Sequence, residues 1–284
     1  MSEGAIVMTL RSTTIAVLVF ALLLLATLAR RPGGIRFVAA GATEFPATPK
    51  APDAGATPVL VELFTSEGCS SCPPADELLS RLGRTQPVRG ADIIVLEEHV
   101  DYWDHLGWKD PFSSEAATMR QNDYGSAFGG EQIYTPQMVV DGRAEFIGSS
   151  DSDALRAIRA ASQAQKPAIQ LSWEKDDALA IHVDPLNGAS PREGEQVFLV
   201  VAEDMLHSDV KHGENAGRAL QHNGVVRQLL PVGKIDAPAA GFSSTTSVHA
   251  APGWNSANLR AIVFVQERHT RHVLAAAAIP FPKT

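Results

Sequence analysis

Cys69 and Cys72 are the only cysteines in the chain, and Ser70 and Ser71 separate them. Two thiols at this spacing suit thiol–disulfide exchange. One sulfur attacks a disulfide as the thiolate, and the second then resolves the mixed disulfide. Two other outcomes stay open. The pair could form a structural disulfide, although so short a loop yields only about 2 kcal/mol in the chain-entropy account. It could also hold a metal on its two thiolates, with copper(I) the soft ion that would fit.

The flanking elements decide whether the sulfurs are poised. Residues 59–66 form an apolar run that reads as a buried strand. Residues 73–83 read as a helix: Pro73 and Pro74 suit its first turn, Leu78, Leu79 and Leu82 give it a buried face, and Gly83 can close it. A cysteine at a helix N-terminus feels the positive end of the dipole, which favours the anion. Strand, C-x-x-C and helix in this order resemble the thioredoxin arrangement. Downstream, Thr135 and Pro136 open a strand, Asp141-Gly142 marks a hairpin turn, and residues 145–148 supply the partner strand. The thioredoxin resemblance implies a cis peptide bond before Pro136, facing the cysteine pair and leaving the preceding backbone free to pair with an extended peptide.

Other polar residues fall into groups. Glu62 lies in the apolar strand, either as a buried base for the proton of Cys72, or as an edge residue facing water, or as one paired with an arginine. His99, Asp101, Tyr102, Trp103, Asp104, His105 and Trp108 follow the apolar strand of residues 93–96. They read as a substrate-facing wall at the carboxyl end of a sheet, or as a packed insertion. His99, His105 and Asp101 are not taken as a metal site, because close sequence neighbours seldom converge on one ion. Residues 213–218, with His207, His212 and His222, form a polar loop. It either reaches the cysteine face, with Arg218 pairing a carboxylate, or lies in solvent. His249, His269 and His272 are read as inert.

The rest of the chain sets the frame. It has 284 residues, a formal net charge of −8 and 45% hydrophobic residues. That composition suits a folded globule, and the absence of a basic patch with interleaved aromatics argues against nucleic acid. Residues 13–29 carry no charge and span about 25 Å as a helix. Residues 1–31 are therefore read as a signal peptide or membrane anchor. Met8 is a possible start, and small residues at 38–42 could be a cleavage site. Arg30, Arg31 and Arg36 oppose export by the positive-inside rule. Residues 32–57 read as a Pro/Gly/Ala linker. Residues 58–166 read as a βα, βα, ββα domain whose helices include residues 111–124 and 151–165. Residues 167–284 show period-two strands at 169–173, 179–183, 196–202, 224–230, 243–250, 259–267 and 271–279, an antiparallel β-sandwich.

Residues 61–76, 99–112, 134–142 and 213–227 together resemble an uncharacterised family of bacterial secreted thioredoxin-like proteins, described only by a domain of unknown function. The resemblance covers nearly all of the chain after the linker. It implies an α/β thioredoxin-like domain followed by an all-β antiparallel sandwich, with Cys69 the attacking thiol, Cys72 the resolving thiol and Pro136 the cis-proline. It implies no known substrate. Two features depart from common thioredoxins: Gly68 precedes the cysteines, and Glu62 sits one residue away from their buried aspartate.

The resulting expectation is an exported thiol–disulfide oxidoreductase, periplasmic or anchored facing the periplasm, acting on cysteine-bearing envelope polypeptides. Its substrate-binding residues would be Thr135, Pro136, His99, Tyr102 and Trp103, with Glu62 as proton relay and no metal or cofactor. Its partners would be a thiol- or disulfide-bearing protein and, if the leader is kept, the membrane. The alternatives are an envelope scaffold with a vestigial thioredoxin fold and a copper(I) chaperone.

Overall fold

The computed structural model describes residues 50–130, 133–175, 177–186 and 194–282. The expected leader, and with it the proposed anchor, lies outside them. Among the described residues no helix is long and apolar enough to cross a membrane.

Among the described residues the fold is mixed α/β, built on one eight-stranded sheet with three α-helices and two smaller antiparallel sheets. Its strands are β1 (Thr57–Thr65), β2 (Ala91–His99), β3 (Gln137–Val140), β4 (Ala144–Ile147), β5 (Ile169–Trp173), β6 (Ala178–Val183), β7 (Glu195–Glu203), β8 (Leu206–Asp209), β9 (Ala219–His222), β10 (Val225–Ile235), β11 (Phe242–Ser247), β12 (Leu259–Gln266) and β13 (Val273–Pro280). The helices are α1 (Pro73–Thr85), α2 (Glu115–Ala127) and α3 (Asp151–Ala161). The large sheet runs β13-β12-β7-β10-β2-β1-β3-β4. A second sheet runs β11-β6-β5, and β8 pairs with β9 alone.

The two halves expected as successive domains share this sheet. β2 is flanked by parallel neighbours on both sides, β1 and β10. The junction is narrow: Val225 registers with Glu97, and the Glu97 N–H donates to Gly224 O at 2.8 Å. Gly224 is required there. Its φ is +78°, and a Cβ would stand 2.7 Å from Val95 O. β5, β6 and β11 cover β7, β12 and β13 as a second layer, with Leu179, Ile181, Val197, Leu199 and Val263 in the shared core.

Around the cysteines, strand parity separates two faces. Val59, Val61 and Leu63 point with Ile93 and Val95 toward Leu78, Leu79 and Leu82 of α1 and Ile158 of α3. Leu60 points the other way with Ile94 and Leu96, and Phe64 packs on Ala117 and Tyr124 of α2. Gly83 does not close α1, which continues to Thr85 and caps at Gln86 in the left-handed region. Gly83 instead allows close approach, since a Cβ there would meet Val95 Cγ2 at 2.9 Å. Ser114 caps α2 by accepting from the Ala117 N–H. Helix α3 stops at Ala161, short of the expected 165. Beyond it, buried Lys166 reaches Asp141 Oδ2 at 2.5 Å and Pro58 O at 2.6 Å.

Candidate active site

Cys69 and Cys72 are joined as a disulfide just before α1, and Cys72 is the helix N-cap. The loop folds tightly: Cys72 N–H donates to Cys69 O, and the N–H groups of Ala75 and Asp76 donate to Cys72 O. Pro73 and Pro74 carry no N–H, so the first turn has fewer free donors for a thiolate than an ordinary helix N-terminus. The polar neighbour of Cys69 is the Ser71 hydroxyl, 3.3 Å from Sγ.

Both cysteines are covered, Cys69 at 1% and Cys72 at 0% exposure, although Ser70 and Ser71 between them are exposed. The cover comes from two segments. Asn215, itself buried, donates to Glu67 O at 2.8 Å and to Cys69 O at 2.9 Å, and Glu214 accepts from the Ser70 N–H. On the other side Trp103 leaves no room beside Gly68, where a Cβ would lie 3.1 Å from Trp103 Cβ. The loop at 213–218 therefore meets the cysteine face, and β8 and β9 form a hairpin where sequence indicated only a loop. Arg218 bonds Asn215 Oδ1 at 2.9 Å rather than a carboxylate.

The cover makes a prediction. An Asn215→Ala chain loses two buried hydrogen bonds that hold the loop closed, about 1–3 kcal/mol in all. Reduction of the disulfide by excess small dithiol, followed by alkylation and mass shift, is expected to speed up about tenfold. An unchanged rate would mean that this loop does not limit access.

The aromatic group after β2 divides. Trp103 Nε1 donates to Thr135 Oγ1 at 2.8 Å and Tyr102 OH to Gln121 Oε1 at 3.1 Å. The Thr135–Pro136 bond is cis. A Cβ on Gly148 would meet Pro136 Cβ at 3.1 Å and Ala75 Cβ at 3.2 Å, so Pro136 lies against the start of α1. Trp103, Thr135 and Pro136 are thus gathered near the C-x-x-C loop. His99 is not: it is 2% exposed and points inward, its Nδ1 2.7 Å from Asp110 Oδ2. Expected as a substrate contact, it belongs to the interior because its place on β2 faces α1 beneath the loops.

Glu62 also needs correction as a relay. It is central in the sheet, not at an edge, and its parity puts it with α2, opposite α1. There it accepts from Arg120 Nε at 2.6 Å and, by a short bond, from Tyr124 OH. The carboxyl on the cysteine side is Asp76, one helical turn after Cys72 and 4% exposed, accepting from Thr65 Oγ1 at 2.6 Å. Burial, with Glu97 behind it, lifts Asp76 to about 7, against the pull of His222 and the Thr65 hydroxyl. The signal was present in the sequence: an acid four residues after Cys72, on the face of Leu79.

Beneath Asp76 lies a buried cluster of acids and histidines. Glu97 Oε1 is 2.7 Å from His222 Nδ1, and His222 Nε2 is 3.1 Å from Glu67 Oε1. Trp108 Nε1 donates to Glu67 Oε2 at 2.7 Å, and Ser208 bonds Oε1 closely. Burial opposes charge on Glu97, His222 and His99. The two histidines overcome it for Glu97 and hold it near 2; Glu97 and Glu67 do so for His222, raised to about 10; Asp110 and Glu97 lift His99 well above its usual range.

A family model for proteins of unknown function, DUF1223, matches residues 60–266. The chain belongs to that family. Among solved structures, protein AGR_C_4864 from Agrobacterium tumefaciens is 28% identical, with a TM-score of 0.64 over 81% of this chain and 96% of that one. HBP35 of Porphyromonas gingivalis is similar in fold, at 15% identity and a TM-score of 0.56 over 80% of this chain and 76% of its own. No curated protein matches the chain.

Proposed function

We propose that this family member is a thioredoxin-like thiol–disulfide oxidoreductase with an appended β-sandwich half, acting outside the cytoplasm on cysteine-bearing polypeptides. The observation that carries the reading is the Cys69–Cys72 disulfide at the start of α1, with the buried Asp76 carboxyl one turn below. The position of Thr135 and Pro136 near the same loop supports it. The apolar run at 13–29 supports export, and the net charge of −8 favours a protein client over nucleic acid.

In the reducing direction Cys69 thiolate attacks a client disulfide, forms a mixed disulfide and releases one client thiolate. Asp76 carboxylate takes the Cys72 proton. The Cys72 thiolate attacks Cys69 Sγ, closes the disulfide and releases the second client thiolate, so two electrons pass to the client. In reverse, a client thiolate opens the pair at Cys69, and the Asp76 acid protonates departing Cys72. Trp103 and Thr135 would flank the bound polypeptide.

The burial of Cys69 favours a second reading, an envelope scaffold whose disulfide is never exchanged. Trapping separates the two. A Cys72→Ala chain expressed with its leader is expected to accumulate covalent adducts that a reductant releases and that disappear in a Cys69→Ser/Cys72→Ala chain. If no Cys69-dependent adduct forms, even after Asn215→Ala loosens the cover, the scaffold reading stands.

A further inference from the structure

We infer that Glu97, His99 and His222 form a binding site for one divalent transition-metal ion of the zinc type, fastening β9 to the end of β2. Glu97 and His99 alternate along β2 and so share its α1 face, while His222 ends β9. One ligand atom from each lies within 4.8 Å of the others. Glu97 Oε1 stands 2.7 Å from His222 Nδ1 and 3.6 Å from His99 Nε2. Tetrahedral zinc with bonds near 2.0–2.2 Å spaces its ligand atoms about 3.3 Å apart. These two separations lie on either side of that value and the third is no more than 4.8 Å, so the side chains must shift to seat an ion.

Two observations point to a ligand rather than to a self-contained ion-pair cluster. First, His99 Nε2 is fully buried, has no hydrogen-bond partner, and is directed at Glu97. A buried polar atom without a partner is costly, and a metal would satisfy it. Second, the outer shell has the form that metal sites use. The other nitrogen of each ring sits on a carboxylate, His99 Nδ1 on Asp110 Oδ2 at 2.7 Å and His222 Nε2 on Glu67 Oε1 at 3.1 Å. Such carboxylates orient each ring, so that the inward nitrogen could take an ion once its proton is displaced. Glu97 is held in the same way: its second oxygen accepts from the Asn223 N–H at 3.0 Å. Asp110 is oriented in turn by the N–H groups of Glu67 and Phe112.

Two imidazoles and a carboxylate suit zinc or cobalt(II) better than the soft copper(I) or the hard magnesium ion. All three residues are buried, which would keep a substrate from the ion, and with three protein ligands a water would complete its coordination. The ion would fix the hairpin that carries Asn215 over the cysteines, and Glu67, two residues before Cys69, would brace it from outside.

The site is separable from the thiol chemistry, because a chain lacking both cysteines still contains it. Tag-free Cys69→Ser/Cys72→Ser protein, made in zinc-supplemented medium and desalted, is expected to retain about one zinc per chain. Refolded with cobalt(II), it should show the visible absorption of a low-symmetry nitrogen–oxygen site. Adding His99→Gln or His222→Gln should remove both signals, while Asn215→Ala in the same background should keep them. The inference is overturned if the protein with Glu97, His99 and His222 intact retains no zinc and gives no cobalt spectrum. It is equally overturned if the His222→Gln chain retains as much as its parent. Neither result bears on whether Cys69 traps clients.

Discussion

Replacing Arg120 with alanine is expected to lower the free energy of unfolding by about 3–5 kcal/mol. Arg120 is almost wholly buried between α2 and the sheet. Its Nε bonds Glu62 Oε1 at 2.6 Å, Nη2 reaches Tyr124 OH at 3.1 Å, and Nη1 reaches Gln266 Oε1 on β12 at 3.2 Å. The guanidinium also lies over the rings of Phe264 and Phe198 at 5.1 and 5.7 Å. Truncation leaves Glu62 and Glu98 without their shared cation. Glu98 is already raised to about 7 by burial despite that cation, so it would go neutral, and Glu62 would lose the partner of its Oε1 inside the protein or draw water into the cavity. Typical domains have only about 5–15 kcal/mol of stability, so the loss should be plain in urea unfolding. A matched Glu62→Gln/Arg120→Met chain removes both charges and keeps the volume, and should recover much of the loss. If Arg120→Ala costs less than about 1 kcal/mol, the pair is solvated and does not tie α2 to β12.

That network shows why part of the fold was legible in sequence and part was not. β1, the cysteine loop, α1 and the β3–β4 hairpin announce themselves within a few residues each, through an apolar run, prolines in a first turn and Asp141-Gly142. The strands of residues 169–183 alternate, and alternation survives in the structure as one covered face. What fails is information between distant segments. β1 is buried on both faces, so its pattern carries no parity signal, and nothing local says whether Glu62 faces α1 or α2. The joining of the halves rests on β10 beside β2, set by Gly224 and Val225 against Glu97, and no periodicity encodes it. β8 and β9 are four residues each and rich in His, Ser, Asp and Gln, hence their reading as a loop. His222 meets His99 across 123 positions, so its neighbours in sequence could not reveal the cluster.

Asp76→Asn is expected to slow thiol–disulfide exchange about a hundredfold at pH 8 while making the fold more stable. The first effect follows from general acid–base catalysis, which typically contributes 10²–10⁴-fold, and from the place of Asp76 one turn below Cys72. Asparagine keeps the acceptor for Thr65 Oγ1 and removes only the proton exchange. In the wild type the rate of resolution should rise with pH through about 7 as the carboxyl ionises, and the variant should lack that inflection. The second effect has a fixed sign. The carboxyl has its ordinary value of 3.8 in the unfolded chain and about 7 in the folded one. Between these values the unfolded chain gives up a proton that the folded chain keeps, so wild-type stability falls as pH rises from about 4 to about 7. The asparagine chain escapes that fall, and its advantage in urea midpoint should be absent at pH 3.5 and greatest above pH 7. A cation at Glu97 would draw Asp76 downward, so both profiles belong on chelator-treated protein. A chain that gains stability and loses exchange would mark Asp76 as a strained group kept for chemistry, since a merely structural carboxyl would lose stability when changed. Unchanged exchange with a raised midpoint would remove Asp76 from the proton path and leave Cys72 to lose its proton to water.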